Sequence, residues 1–409
     1  MANKSTTSIA FLSALICILA ALAKGTRLYS INDNQNSILP SSPGSDDICK
    51  SLVEPQGYAC QQHIVTTDDG YILSLQRIPA GRSGKKADKP PVLLQHGILV
   101  DGASWVILSP EESLGFILAD NGYDVWLANT RGTISSRGHN SLSPNDPAYW
   151  NWSWDQLAAH DLPTLVKYVN DQTGQKLHYV GHSLGTLTAF AALSQGKLLS
   201  MLRSAALLSP IAYLGRIPSL LIRVAAQYFL AEDIYWLGVR EFIPKGQQLG
   251  KLLENICKPG IDCSNLLISV TGPNCCIDKS KEGVFLDHEP QSTSTRNLIH
   301  LSQMIRDGTM AMYNYDNLVE NMKHYGQPTP PTYNISNIPN EIPLFISYGA
   351  KDLLSDVNDV QILLDKLENH DKDKLVVQFV KDYAHGDFIM AVNANKVVYS
   401  PLIDFFTLH

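Results

Sequence analysis

The chain has 409 residues, too many for one minimal domain and suited to one large α/β domain with an insertion, or to two domains. Hydrophobic content of 44% and charged content of 17% describe an ordinary globular protein. A net charge of −7, with no Lys/Arg run, argues against nucleic acid as a partner.

At the N-terminus, Lys4 precedes an uncharged apolar run from Ile9 to Ala21, and Ala21-Leu22-Ala23 has the small-x-small form of a cleavage site. Residues 1–23 therefore read as a secretory signal peptide; the run is short for a membrane span, and no second one of that length follows. Residues 24–48 are polar, without periodicity, and read as a loose leader. Beyond Cys17, six cysteines remain, an even number that suits an oxidising compartment. Cys49 and Cys60 lie near the start, while Cys257, Cys263, Cys275 and Cys276 lie together much later, so the simplest pattern is one bridge in the first group and two in the second. Sequence leaves the pairing open. The adjacent Cys275-Cys276 lacks ligand spacing, and no metal or cofactor is expected. Asn151 and Asn334 each head an Asn-x-Ser acceptor for glycosylation along a secretory route.

Alternation around Asp69-Gly70 predicts a hairpin pairing residues 63–67 with 71–75. Gly81-Arg82-Ser83-Gly84-Lys85-Lys86 lacks phosphate-loop spacing and reads as a solvated loop. Continuous apolar runs follow at Pro91–Gln95, Tyr123–Ala128, Leu177–Val180, Ala205–Ser209, Leu344–Tyr348 and Leu375–Val380, separated by helix-length segments. Runs apolar on both faces, alternating with helices, predict an α/β fold with a mainly parallel sheet covered on both sides. The spacing breaks once, between Ser209 and Ile342, where apolar helical stretches replace strands. One of them, from Leu220 to Leu237, is bulky nearly all round; it reads as a helical subdomain core, and also as a cap whose inner face accepts an acyl chain.

The residues that carry chemistry sit at Gly181-His182-Ser183-Leu184-Gly185, where an apolar strand ends and a small-residue helix begins. In this strand–turn–helix setting the serine becomes a nucleophile, and glycines two before and two after it let strand and helix approach. A serine hydroxyl needs a base to take its proton, and the base needs an acid to orient it. In the order Ser…Asp…His, Asp352 follows the run Leu344–Tyr348, and His385 lies on the loop after Leu375–Val380. Asp356 and Asp359 compete with Asp352 for the acid's role, whereas His182 is expected only to pack or orient locally. The oxyanion donors are expected to be the backbone N–H groups of Leu184 and of Ile98, the latter in Gln95-His96-Gly97-Ile98 after an early strand.

Several stretches together resemble the acid lipases of the gastric and lysosomal type, most of all the plant triacylglycerol lipases. They are Thr67-Asp68-Asp69-Gly70-Tyr71-Ile72-Leu73, Leu94-Gln95-His96-Gly97, the segment from Asn121 to Gly132, Asp161-Leu162-Pro163, the segment from His178 to Gly185, Thr293-Ser294-Thr295 and Lys351-Asp352-Leu353-Leu354. The resemblance runs from about Cys49 to the C-terminus. It implies an α/β-hydrolase core at 49–210 and 341–409, a cap with a lid at 211–340, and hydrolysis of lipid esters. By position, Ser183, Asp352 and His385 match the family's triad, and Ile98 and Leu184 its oxyanion donors. Two departures stand out: Leu184 occupies a position where many animal members have Gln, and Ala384 one where the family often has Asn.

The reading is a serine hydrolase, a lipase or carboxylic ester hydrolase acting on acylglycerols at a lipid–water interface, secreted or vacuolar and lysosome-like. The alternatives are an acyltransferase or an esterase of non-glyceride acyl esters with the same triad, and a non-catalytic binding protein on the same scaffold. Oligomeric state is left open.

Overall fold

The computed structural model describes residues 47–243 and 264–409; the expected signal peptide, residues 24–46 of the leader, Cys257 and Cys263 lie outside the described residues. Strands β1 (Gln61–Thr66) and β2 (Tyr71–Ile78) form the expected antiparallel hairpin, with Thr66 opposite Ile72. Gly70 at its tip has φ 97°, a left-handed backbone that favours glycine.

From there strands and helices alternate as the apolar runs require. In chain order they are β3 (Pro91–Gln95), α1 (Leu114–Asp120), β4 (Asp124–Ala128), β5 (Gly138–His139), α2 (Leu162–Thr173), β6 (Leu177–His182), α3 (Leu184–Ser194) and β7 (Leu202–Leu208). After a long connection come β10 (Leu344–Gly349), α10 (Val357–Lys366), β11 (Leu375–Val380), α11 (Asp387–Met390) and α12 (Ser400–Leu408). Among the described residues the main sheet runs β1-β2-β4-β3-β6-β7-β10-β11, with β5 beside β2. Strands β4, β3, β6, β7, β10 and β11 are parallel, and the hairpin side is antiparallel.

The two-residue period of a strand explains how one sheet serves two cores. Leu93, Trp126 and Ala128 point to the face carrying α2 and α3, while Val92, Leu94, Val125 and Leu127 point to the face carrying α1 and α12. One expectation fails here. Strand β11 is apolar apart from Gln378 but is not buried: Val376 and Phe379 are exposed together with Val377, and since neighbouring strand residues point to opposite faces, this edge strand is incompletely covered on both sides of the sheet.

The connection from β7 to β10 carries helices α4 (Leu220–Gln227), α5 (Leu230–Trp236), α6 (Ser264–Thr271), α7 (Glu282–His288), α8 (Thr295–Asp307) and α9 (Leu318–Tyr325). Its described strands, β8 (Glu241–Phe242) and β9 (Thr293–Ser294), are two residues each and pair with one another. The subdomain-core reading of 220–237 holds only for part of that stretch. Ala226, Ala231 and Ile234 are buried against the molecule, but Leu220, Tyr228 and Phe229 are exposed, as are Trp236 at 80% and Leu237 at 75%. Two short helices lying on a surface can bury only one face each, whatever their composition. Among the described residues no helix is long and apolar enough to cross a membrane.

A buried cation holds the hairpin to the sheet. Arg131, on the loop after β4, gives its guanidinium to Asp69 at the hairpin tip and to Asp161 at the start of α2, and lies over the Tyr71 ring. Burial works against its charge, but the two carboxylates outweigh that and hold its pKa above the ordinary arginine value. Asp69, Tyr71, Arg131 and Asp161 all come from the stretches that carry the family resemblance, and their shared role is to fasten three elements together.

Candidate active site

Strand β6 runs into α3 through Ser183, whose φ of 54° and ψ of −118° lie outside the regions open to most side chains. Close packing imposes this bend. A Cβ on Gly181 would stand 2.8 Å from the carbonyl carbon of Gly185, and one on Gly185 would stand 2.6 Å from the Gln95 oxygen. Only glycine at both positions allows α3 to come back against the ends of β6 and β3. The Ser183 N–H donates to the Leu208 carbonyl (3.1 Å), which ties the turn to β7.

The bend aims the Ser183 hydroxyl at His385. Its Oγ lies 2.8 Å from His385 Nε2, and His385 Nδ1 lies 2.9 and 3.0 Å from the two oxygens of Asp352. A carboxylate can only accept, so Nδ1 carries the proton and Nε2 is left as acceptor for the serine O–H. All three residues are buried. Burial by itself would raise the Asp352 carboxyl, but the His385 ring and the N–H groups of Leu354 (2.9 Å) and Ser355 (2.8 Å) hold it below its ordinary value. It is therefore charged at neutral pH and fixed in direction. The other two carboxylates do not reach His385. Asp356 caps α10 by accepting the Asn358 N–H (2.9 Å), and Asp359 accepts the Arg216 N–H (2.9 Å).

Leu184 is the first residue of α3, where a backbone N–H has no acceptor within its own helix. Across from it, Gly97 sits so close to the serine that a Cβ there would lie 3.0 Å from Ser183 Cβ and 3.5 Å from Oγ. The N–H of Ile98 follows directly. The residues expected to supply the two donors thus belong to the segments that follow β6 and β3, next to the serine in the chain and to the glycine that faces it.

His182 turns out to have a defined job that sequence only hinted at. Its Nε2–H donates to the backbone carbonyl of His385 (3.0 Å), and the rings lie 4.9 Å apart. Burial pushes the His182 imidazole down to about 3, so it stays neutral.

The loops bearing Asp352 and His385 are also held from outside the sheet. Thr271, at the end of α6, offers its carbonyl to the N–H of His385 (3.1 Å) and of Leu353 (3.4 Å). Asn274 accepts the Gly386 N–H (2.9 Å). Asp387 is fully buried and accepts N–H groups from Ala384, Cys275 and Cys276 at 2.8 to 3.2 Å. Burial raises its carboxyl above the ordinary value, and these three donors act in the opposite direction. Nearby, the Gln291 N–H donates to the Leu99 carbonyl (2.8 Å), and Glu289 accepts the Asp101 N–H (2.9 Å), which fixes the loop after β3. No sequence pattern announces these contacts, because nearly all of them use backbone groups on one side.

Among the described cysteines, Cys49 is bonded to Cys60 and Cys275 to Cys276. The second pairing joins neighbours in sequence and engages both sulfurs, so the cluster of Cys275, Cys276 and Asp387 offers no free thiolate for a metal ion. The expected glycosylation acceptors Asn151 and Asn334 are both exposed.

Known proteins and family models match most of the chain. A family described as "Partial alpha/beta-hydrolase lipase region" matches residues 49–109, and one described as "alpha/beta hydrolase fold" matches 90–390. Triacylglycerol lipase 2 of Arabidopsis thaliana is 52% identical over 90% of this chain and 89% of its own length. Lysosomal acid lipase/cholesteryl ester hydrolase of Macaca fascicularis is 34% identical over 96% of this chain and 98% of its own. In fold, the chain is similar to a soluble variant of monoglyceride lipase from Saccharomyces cerevisiae, with a TM-score of 0.52 and 14% identity, covering 84% of this chain and 96% of the other. Likeness of this extent to plant and animal enzymes alike has one reading: the chain belongs to the acid lipase family of the α/β hydrolases.

Proposed function

We propose that the protein hydrolyses carboxylic esters of lipids, with triacylglycerols and other acylglycerols as its substrates. The observation that carries this reading is the unbroken chain from Ser183 Oγ through His385 to the charged Asp352. His385 Nε2 takes the hydroxyl proton as Ser183 Oγ attacks the ester carbonyl carbon, and the carbonyl electrons move onto its oxygen. The N–H groups of Ile98 and Leu184 hold that oxyanion. As the carbonyl re-forms, the C–O bond to the alcohol breaks, His385 returns its proton to the departing alkoxide, and an acyl-enzyme remains. Water then attacks by the same route in reverse, releasing the fatty acid and restoring the serine. Asp352 orients the ring and offsets the imidazolium charge without taking the proton.

The acylglycerol substrate is supported by the relatives named as triacylglycerol lipases. Residues 49–210 and 341–409 act as the catalytic core, and 211–340 as a cap with a lid. The exposed apolar side chains of α4 and α5 are the surface that meets a lipid–water interface. A secretory route, ending outside the cell or in a vacuolar or lysosome-like compartment, fits the N-terminal 23 residues, the bridged cysteines and the gastric and lysosomal relatives.

The test is hydrolysis of esters of graded acyl length, soluble and emulsified, with a competing alcohol present and both products assayed. Ser183→Ala should lose at least about a thousandfold in rate while its thermal unfolding is unchanged. Activity should rise with chain length, and free acid should exceed the transfer product. Retained turnover in Ser183→Ala would sink the reading.

A further inference from the structure

His96 stands just beyond the end of β3, buried, one residue before the glycine that faces the nucleophile. Its ring makes two contacts that determine where its proton sits. The backbone N–H of Thr130, on the loop after β4, points at Nε2 from 3.1 Å, and Thr130 Oγ1 lies 3.4 Å from the same atom. A backbone N–H can only donate, so Nε2 must be the bare, accepting nitrogen. The proton of the neutral ring is then on Nδ1, which lies 2.7 Å from the carbonyl oxygen of Gly97 and donates to it. Burial pushes this imidazole down to about 4, in keeping with the contacts, since a charged ring would set Nε2–H against the Thr130 N–H.

The consequence lies in the next atom of the chain. The Gly97 carbonyl and the Ile98 N–H belong to one planar trans peptide and point in opposite directions. Whatever holds the carbonyl therefore aims the N–H. We infer that His96 is a positioning residue for the oxyanion: by clamping the Gly97 carbonyl through Nδ1–H, it turns the Ile98 N–H toward the oxygen of the ester bound at Ser183. This rests on the proposed serine mechanism and adds to it a part that the triad does not supply. The start of α3 packs against the two residues before Gly97, because Gly185 lets its backbone lie directly on the carbonyls of Gln95 and His96. A peptide free to rotate would spend part of its time with the wrong end facing the reaction, and a preset donor is what an oxyanion site requires.

The experiment compares His96→Asn, His96→Gln and His96→Leu in the full chain, with rates expressed per Ser183 titrated to completion by an organophosphorus ester. Asparagine can put an amide N–H where Nδ1–H was; glutamine reaches toward Nε2 instead, and leucine donates nothing. The asparagine variant should keep kcat on a soluble ester within about tenfold. The other two should lose roughly a hundred- to a thousandfold in kcat with KM little changed, and their Ki for an alkyl boronic acid, a tetrahedral mimic, should rise by a matching factor. A residue that merely packs would lower the melting temperature and leave per-site kcat and boronate affinity alone. The inference is overturned if glutamine and leucine retain both within about threefold, or if asparagine is as damaging as leucine. Should the variants not fold, nitrogen NMR of the wild-type protein decides: the His96 ring, identified by its coupling across the hydrogen bond from the Thr130 amide, must be protonated on Nδ1, and protonation on Nε2 would end the idea. Failure of the serine mechanism would appear separately, as turnover that survives Ser183→Ala.

Discussion

The nucleophile and its two partners are held in place by opposite means. Around Ser183, position comes from what is absent: Gly181 and Gly185 leave no side chain where strand, helix and neighbouring loop must touch. Around His385 and Asp352, position comes from what is present: a strap at 271–277 and 289–291 that donates to and accepts from the backbone of three loops. The first device is encoded within a few consecutive residues. The second is assembled from segments far apart in the chain, 112 residues between Asn274 and Gly386 and 188 between Asp101 and Glu289, and it ties the proposed cap into the frame of the candidate site.

Substitutions should separate the two devices by size of effect. The largest effect is expected at the turn. In Gly185→Ala the new methyl would lie 2.6 Å from the Gln95 oxygen, a contact that backbone must move to relieve. Ester hydrolysis should fall below detection, and urea unfolding should show a loss of about 3 kcal/mol. Near-normal activity in this variant would mean that the turn does not depend on steric exclusion.

The strap should come next. Asp387→Ala leaves the buried N–H of Ala384 and the partly buried N–H groups of Cys275 and Cys276 without their acceptor, at a cost of roughly 1–3 kcal/mol in urea unfolding. The rate constant kcat should fall roughly ten- to a hundredfold as the His385 loop loosens. Asp387→Asn, which keeps one oxygen, should fall between wild type and alanine. An alanine variant as stable and as active as wild type would show that the strap only rests on the core.

His182 belongs to both devices, and pH isolates its part. Burial depresses its pKa to about 3, from an ordinary value near 6.5. Below pH 6.5 the unfolded chain takes up a proton that the folded one refuses, so stability present above that pH is lost as pH falls toward 3. The slope from this one group reaches about 1.4 kcal/mol per pH unit. His182→Gln removes the titration while keeping a donor for the His385 carbonyl. It should therefore lose roughly 1–2 kcal/mol less than wild type between pH 6.5 and pH 5, measured by urea unfolding at each pH. Equal losses in the two proteins would refute the assignment.

The smallest effect on folding is expected on the exposed face of the proposed cap. Trp236→Ser with Leu237→Ser should change stability by less than about 0.5 kcal/mol and leave hydrolysis of a soluble ester unaltered. Emulsified triacylglycerol should be hydrolysed several-fold more slowly. An unchanged rate on the emulsion would remove these residues from the proposed lipid-facing surface.

Much of this protein was open to reading from its residues in order. The apolar runs at 91–95, 177–180 and 344–348 became strands because burial on both faces demands that composition, and the Asp69-Gly70 hairpin formed where a turn residue interrupts alternation. The run at 375–380 is as apolar apart from Gln378, yet it lies at the sheet's edge with both faces only partly covered, and no local pattern distinguishes an edge from a centre. Likewise the helices at 220–237 have the composition of a core but the exposure of a surface, since what covers a helix is decided by its neighbours. Residue order favoured Asp352 without eliminating Asp356; geometry separates them, because one meets His385 and the other caps a helix.

Sequence alone determined the strand–turn–helix, the order of serine, acid and base, and the parallel sheet beneath them, for each depends on residue type and spacing over short stretches. Tertiary structure alone decided which carboxylate faces the histidine, where Arg131 is buried, and how residues 271–277 and 289–291 grip the loops around the serine. Those contacts are made largely to backbone amides and carbonyls, which are the same in every residue and so leave no mark in the order of side chains.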